Sequence, residues 1–506
     1  MTERTVHTGP VSPVFHFLEK PGPHYVGLNV VEQYDYSRVF RPATDVLGRS
    51  YHAERARPIQ TLIWYPADHS GGKPMTVENY VELSAAETRF GNPEMSYRDR
   101  EWLSGMQPTL ALPLWAVRDA SPSSGRFPVV IYAPSFSAAA WENADFCEYL
   151  ASHGYLVIAA PSMGAMTRAM TSDLEGLEAQ ARDISFLIGY ACALSNADLS
   201  GLAVAGFSWG GLANLLAAAR DGRINALLAL DGSMRYWSGL LRQAAYVQPR
   251  QMTIPLIYFA QGALTLEDQE RYLQHNDGPN VLNSWAHGDL TTVHMLGMSH
   301  AEFGSMFQRN ENLWWQLEQV YRQKNENFGR DAGAGGYAWV ARYAREFLDA
   351  YLKHDSASKA FLQRSPAENG VPRYVMKVDH RPAAGRPATF ETFRAELGRQ
   401  GFDRIVQIHA ALKQQAPDFQ LDEGLVISWA EELMDDKQLT QAVALLNFNT
   451  QIHPDSTRAY TNLGDAYRIC GQLTQAAANY RRAIEQDATN ADAIWKLSRL
   501  PYPATE

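Results

Sequence analysis

From about residue 25 to residue 352 the chain alternates short apolar runs with longer amphipathic ones, and this alternation constrains the fold more than any other feature. The short runs, rich in β-branched and aromatic residues, are Ile59 to Tyr65, Pro128 to Tyr132, Tyr155 to Ala160, Leu202 to Phe207, Ala226 to Leu230, Ile254 to Phe259 and Leu290 to Met298. Helical patterns lie between them, over Trp141 to Ser152, Leu174 to Leu194, Leu212 to Arg220 and Val340 to Lys353. Strands that are apolar almost throughout have no face to show water. The pattern therefore predicts an α/β fold, a mostly parallel sheet covered by helices on both faces. Two stretches break the rhythm, about 66–126 and about 301–338, the second ending in Asp331-Ala332-Gly333-Ala334-Gly335-Gly336. Both are read as inserts of the size from which lids are made.

A stretch bearing Pro and Gly, 366–388, reads as a linker between one domain over 1–365 and another over 389–506. Beyond it the pattern is helical only, with a period of 34 residues. Tyr460, Leu463, Gly464, Tyr467, Ala476, Tyr480 and Ala483 resemble the tetratricopeptide repeat in type and spacing. Trp429, Ala430, Leu433, Ala442, Leu446 and Pro454 occupy pattern positions of the preceding repeat, with Asn449 where a small residue is expected. A solvating helix at Asn490 to Leu500 closes the array. Because one repeat cannot bury its apolar face alone, the helices from Phe390 to Leu412 are expected to complete the stack or to pack on the first domain. The resemblance implies an all-α repeat domain open to a protein or peptide partner.

Composition excludes several functions. Asp plus Glu number 55 against 45 Lys plus Arg, a net charge of -10 with no basic run, so nucleic acid is not an expected partner. No apolar stretch approaches the ~18 residues of a membrane-spanning helix. Cys147, Cys192 and Cys470 are isolated, which argues against a disulfide framework or a cysteine metal site. No cofactor is expected. The segment Met1 to His7 lacks the apolar core of a secretory signal, so the cytoplasm is the expected compartment, or a secreted or periplasmic one if a leader has been removed.

Chemistry enters at Gly206-Phe207-Ser208-Trp209-Gly210-Gly211, between the apolar strand Leu202 to Ala205 and the helical run Leu212 to Ala219. A G-x-S-x-G turn in that setting lifts a serine hydroxyl above the sheet at a helix N-terminus, where developing negative charge is favoured. A serine hydroxyl needs a histidine base, and the histidine needs an acid to orient it, in chain order serine, acid, histidine. His300 follows the last strand candidate and falls at the edge where the serine stands. His287 precedes that strand, His294 lies inside it, and His275 and His354 sit on helical segments.

For the acid there are two places. Asp231 ends the strand Ala226 to Leu230, whereas Glu267 and Asp268 follow the next strand. Burial at a strand end gives Asp231 a need for a partner, while Glu267-Asp268 resembles a helix start, where acids complement the dipole. The two backbone donors for a tetrahedral oxyanion are expected from Trp209 and from the loop Ala133-Pro134-Ser135-Phe136-Ser137. Pro134 has no N–H, which leaves Ser135 or Phe136, with Phe136 favoured. Trp141, Trp209, Trp237, Trp285 and Trp314-Trp315 are candidates to line an acyl or aromatic pocket, against ordinary packing.

Over roughly 25–355 these residues resemble the platelet-activating factor acetylhydrolase family of α/β-hydrolases, with its dienelactone-hydrolase and cutinase-like relatives. The resemblance lies in Phe127 to Tyr132 with its following loop, in Ala151-Ser152-His153-Gly154-Tyr155, and in the turn at Ser208. It extends to Leu230-Asp231, 23 residues after the serine, and to His300 with Phe303. It implies the α/β-hydrolase fold and an acid after the earlier strand, Asp231. It also implies metal-independent cleavage of small-molecule or lipid esters by Ser208, Asp231 and His300. Where the family carries His-Gly this chain has Pro134-Ser135, and Trp209 follows the serine. An acyltransferase, an amide hydrolase and a silent scaffold with peptide-binding repeats are the alternatives.

Overall fold

The computed structural model describes residues 14–45, 47–68, 71–91, 93–262, 281–323 and 329–501. The chain forms two compact units, Met1–Ala384 and Gly385–Glu506.

The first unit is built on β1 (Tyr25–Val39), β2 (Ala56–Ala67), β3 (Pro74–Thr76), β4 (Pro113–Arg118), β5 (Phe127–Ala133), β6 (Leu156–Ala159), β7 (Ala197–Phe207), β8 (Ala226–Leu230), β9 (Leu256–Gln261), β10 (Leu290–Met295) and β11 (Met376–Arg381). Among the described residues these strands make one sheet, ordered β11-β10-β9-β8-β7-β5-β6-β2-β1-β4-β3. From β6 through β5, β7, β8 and β9 to β10 every neighbouring pair is parallel, and β2 runs against both β6 and β1. Alternate residues of β7 enter opposite cores. Ala203, Ala205 and Phe207 pack with one cluster, Leu202 and Val204 with the other. Burial on both faces is why the strands read as continuous apolar runs. The α/β-hydrolase fold is thus the fold of this unit, with a separate helical repeat region after it.

Three features differ from the sequence reading. The stretch 366–388 is not a linker throughout, because Met376–Arg381 pairs antiparallel with β10 along its length. Its alternation of Lys377, Asp379 and Arg381 suits a polar edge strand, which looks like a loop in sequence. β1 is a fifteen-residue strand outside the apolar runs, held by pairing with β2 rather than by its own hydrophobicity. A 23-residue helix spans Arg330–Leu352, so the Gly333–Gly336 run is helical rather than part of a lid. A Cβ at Gly333 would overlap the Glu302 carboxylate, and one at Gly336 would lie 2.5 Å from Met298 Sδ. Both glycines let the helix close onto the turn that carries His300.

In the second unit the helices Phe390–Gln400 and Ile405–Gln415 precede Glu423–Asp435, Leu439–Ile452, Thr457–Ile469, Leu473–Gln486 and Ala491–Ser498. Phe393, Leu397, Ile405 and Ile408 share one core with Val426, Trp429, Leu445 and Leu463, so the leading pair extends the stack. Gly464 admits the buried Tyr480 ring, 2.5 Å from where a Cβ would lie. Asn449 is wholly buried, and neither end of its carboxamide has a partner among the described residues. No described helix is long and apolar enough to cross a membrane.

Candidate active site

Four parallel neighbours, β7 to β10, bring their carboxyl ends to one edge of the sheet, and each delivers a polar residue there. Ser208 follows β7 with φ 52° and ψ -116°, a backbone that a non-glycine residue adopts only when its surroundings compel it. The compulsion is visible. Its N–H donates to the Leu230 carbonyl at 3.0 Å, and its carbonyl accepts from Gly211 N–H at 3.0 Å and Ser233 N–H at 2.7 Å.

His300 opens a short 3-10 turn after β10. Glu302 closes that turn by accepting the Ser299 N–H at 2.6 Å. The ring lies between two partners: Nε2 is 2.8 Å from Ser208 Oγ and Nδ1 is 2.6 Å from Asp231 Oδ2. Since a carboxylate can only accept, Nδ1 carries the proton and Nε2 offers its lone pair to the serine hydroxyl. Asp231, after β8, is fully buried. Its Oδ2 also accepts from Gln261 Nε2 at 2.7 Å, and its Oδ1 accepts from Gln261 N–H at 3.2 Å and Tyr236 Oη at 3.4 Å. A hydroxyl, imidazole and carboxylate in one hydrogen-bonded line can draw a proton off the hydroxyl and make it a nucleophile.

The other histidines do not join this line. His294 is half-buried within β10, where burial first and Arg235 second lower its pKa. His287 precedes β10 at the far edge, and His354 is exposed after the Arg330–Leu352 helix. Glu267, Asp268 and His275 lie outside the described residues.

The loop after β5 is pinned on either side of Phe136. The Pro134 carbonyl accepts from Gln180 Nε2 at 2.7 Å, and the Ser135 N–H donates to Glu142 Oε1 at 2.6 Å. On the far side the Ser137 carbonyl accepts from Arg168 Nη1 at 3.1 Å, while Ser137 Oγ accepts from Met170 N–H at 2.7 Å. With the Ser135 N–H taken, neither Phe136 N–H nor Trp209 N–H donates to another described backbone group. The Phe136 ring meets the Trp209 ring edge-on at 5.4 Å.

Beside this loop opens a cavity of about 940 Å³. Its apolar wall includes Val81, Met95 and Trp102 from the 66–126 insert, facing Phe136, Trp141 and Phe307. Of the six tryptophans singled out in sequence, Trp141 lines this space. Trp209 packs on Trp237, Trp285 is buried against the Ile254 carbonyl, Trp314 lies under Arg330, and Trp315 is exposed. Among the described residues there is no group of His, Cys, Asp and Glu that could hold a metal ion.

Sequence reasoning missed Gln261, Glu142 and Asn143. Gln261 carried a usable signal, a polar residue ending an apolar strand just as Asp231 does. Glu142 and Asn143 sit inside a helical pattern with nothing to mark them. Burial pushes the Glu142 carboxyl up to about 7, even though Ser135, Tyr132 and the nearby His300 favour its charged form.

The TPR repeat family matches residues 464–498, and no curated protein matches the chain. A solved ferulic acid esterase from Streptomyces cinnamoneus aligns over 67% of this chain and 93% of its own, with 18% identity and a TM-score of 0.47. A likeness that distant does not bear on activity.

Proposed function

We propose that the chain is a metal-independent serine hydrolase of carboxylic esters, as its resemblance to the platelet-activating factor acetylhydrolase family implies. The observation that carries the reading is the unbroken line from Ser208 Oγ through His300 to the buried Asp231, with spacings of 2.8 Å and 2.6 Å. Ser208 attacks the acyl carbonyl while His300 Nε2 takes its proton. Asp231 holds the ring by Nδ1–H and offsets the charge the ring acquires. The Phe136 and Trp209 N–H groups receive the oxyanion, since the remaining donor of the loop, Ser135, is already committed. His300 then protonates the leaving alkoxide, and water, activated by the same ring, releases the acyl group.

The cavity beside Phe136 is the natural place for the larger part of the ester. Its volume is at the upper end of those that enclose small ligands, ~300–1,000 Å³; its aromatic side suits an apolar group, while Glu87, Arg89, Glu94, Asp99 and Arg168 on the same lining suit a polar one. Initial rates on p-nitrophenyl esters from acetyl to dodecanoyl test the reading, with Ser208→Ala alongside. Ser208→Ala is expected to lose at least about 1,000-fold in kcat. Asp231→Asn is expected to lose on the order of 1,000-fold or more with the same melting curve, because the imidazole is then held in the wrong tautomer. An ester activity that survives Ser208→Ala sinks the proposal.

A further inference from the structure

Glu142 and Asn143 are adjacent, buried and polar, and together they touch both halves of the site. Glu142 Oε1 accepts from Ser135 N–H at 2.6 Å and from Tyr132 Oη at 3.1 Å, while Oε2 accepts from Ser135 Oγ at 2.6 Å. Its own carbonyl accepts from Met306 N–H at 3.1 Å. Asn143 Nδ2 donates to Tyr132 Oη and to the Phe303 carbonyl, each at 2.9 Å. Its Oδ1 accepts from Ser305 N–H at 2.9 Å and Tyr337 Oη at 2.7 Å. All four hydrogen-bonding positions of that carboxamide are filled.

Burying a carboxylate is costly, and an apolar side chain would fill the same space. Negative charge close to a developing oxyanion adds a second cost. What a planar head at this reach supplies here is two polar atoms on one rigid plane, one for the Ser135 N–H and one for its hydroxyl. Turning the Ser135 amide inward fixes the peptide that follows, and with it the Phe136 N–H. Asn143 holds Phe303 and Ser305, the residues that end the His300 turn, to the same Tyr132 hydroxyl that Glu142 engages.

Resting on the serine-hydrolase reading, we infer that Glu142 and Asn143 are positioning residues: Glu142 aims the Phe136 amide at the oxyanion, and Asn143 holds the His300 turn in the same frame. Each acts through another group, Glu142 through Ser135 and Asn143 through Phe303 and Ser305, although Glu142 also lines the cavity beside Phe136. The assignment concerns geometry rather than charge, which three substitutions at Glu142 separate. Glu142→Gln keeps an acceptor for Ser135 N–H, and its amide can donate to Ser135 Oγ, so kcat is expected within about fivefold of wild type. Glu142→Asp keeps the charge but falls short of Ser135, and Glu142→Ala removes both. Each is expected to lose about 100-fold in kcat with KM within threefold, the size of a lost oxyanion donor.

A readout independent of turnover is inhibition by phenylboronic acid, which forms a tetrahedral anion on a reactive serine. Its inhibition constant is expected to weaken at least about 30-fold in Glu142→Asp, while that of benzoate, a planar product-like acid, stays within twofold. For Asn143, both Asn143→Leu and Asn143→Asp, which has no N–H for the Phe303 carbonyl, are expected to lower kcat about tenfold. The inference is overturned if Glu142→Asp is near wild type while Glu142→Gln is impaired, or if the loss falls on KM. It is also overturned if Glu142→Ala retains Ser208-dependent activity in full. The hydrolase reading fails separately, when wild-type activity does not depend on Ser208.

Discussion

Two glycine-rich stretches, Gly206 to Gly211 and Gly333 to Gly336, flank the same site and use glycine differently. In the first, glycine lets backbone meet backbone. A Cβ at Gly210 would overlap the Ala133 carbonyl oxygen, and one at Gly211 would lie 2.6 Å from Gly232 Cα. In the second, a helix meets side chains at Gly333 and Gly336 and, among the described residues, none at Gly335. A glycine tuned to a neighbouring main chain sits in a turn whose flanks announce it. One tuned to a side chain hides within a helix, where propensity argues against it.

The sharpest break of this comparison is Gly210→Ala. The Ala133 carbonyl cannot step aside without moving the loop that carries Phe136. Activity on the best p-nitrophenyl ester is expected to fall at least about 100-fold, and stability by about 1–3 kcal/mol. A variant with more than half the wild-type rate would show that the approach is not limiting. Gly333→Ala comes next. The methyl displaces the Glu302 carboxylate, which must give up the Ser299 N–H that closes the His300 turn. A drop of about tenfold in kcat is expected, as a tilted base costs alignment more than binding. Loss of KM alone would place Gly333 in substrate binding instead.

The same contrast explains what could be read from the residues. The strands before Ser208 and Asp231 are buried on both faces at their carboxyl ends and β10, before His300, is mostly buried, so their apolar runs mark their ends, and the polar residue after each run stands at the edge. β11 and the start of the Arg330–Leu352 helix were illegible because both depend on a tertiary neighbour. Lys377-Val378-Asp379 becomes a strand by pairing with β10, and Gly333 becomes helical by seating against Glu302. Glu142 and Asn143 were illegible for a related reason: their partners, from Tyr132 and Ser135 to Phe303, Ser305 and Tyr337, come together only in the fold.

A smaller effect comes from titration. Burial pushes the carboxyls of Glu302 and Glu142 up to about 7 and that of Glu148 up to about 8, from an ordinary value of 4.5. The folded chain therefore holds protons that the unfolded chain releases once pH exceeds 4.5, so unfolding is favoured as pH rises. The stabilisation is complete at low pH and is lost as pH rises through 7 to 8. Melting temperature is expected to fall by about 3 °C between pH 5.5 and 8.5. Glu302→Gln, which cannot titrate, should make that decline shallower by about 1 °C; an unchanged slope would mean that Glu302 is not the proton holder beneath Gly333.

Gly335→Ala is the least disruptive change and the cleanest control. Among the described residues no atom beyond the helix's own backbone lies within 4 Å of a Cβ placed there, and the residue is in the first turns of a 23-residue helix. Alanine restricts the unfolded chain and favours helix, so the substitution is expected to stabilise by about 0.5–1 kcal/mol. Turnover should stay within twofold, because neither Glu302 nor Met298 has to move. Measured beside Gly333→Ala, two positions away in the same helix, it separates a glycine required by the His300 turn from one that is merely tolerated. If both variants lose activity alike, the helix acts on the site through its stability as a whole, and the close contact at Gly333 has no special part.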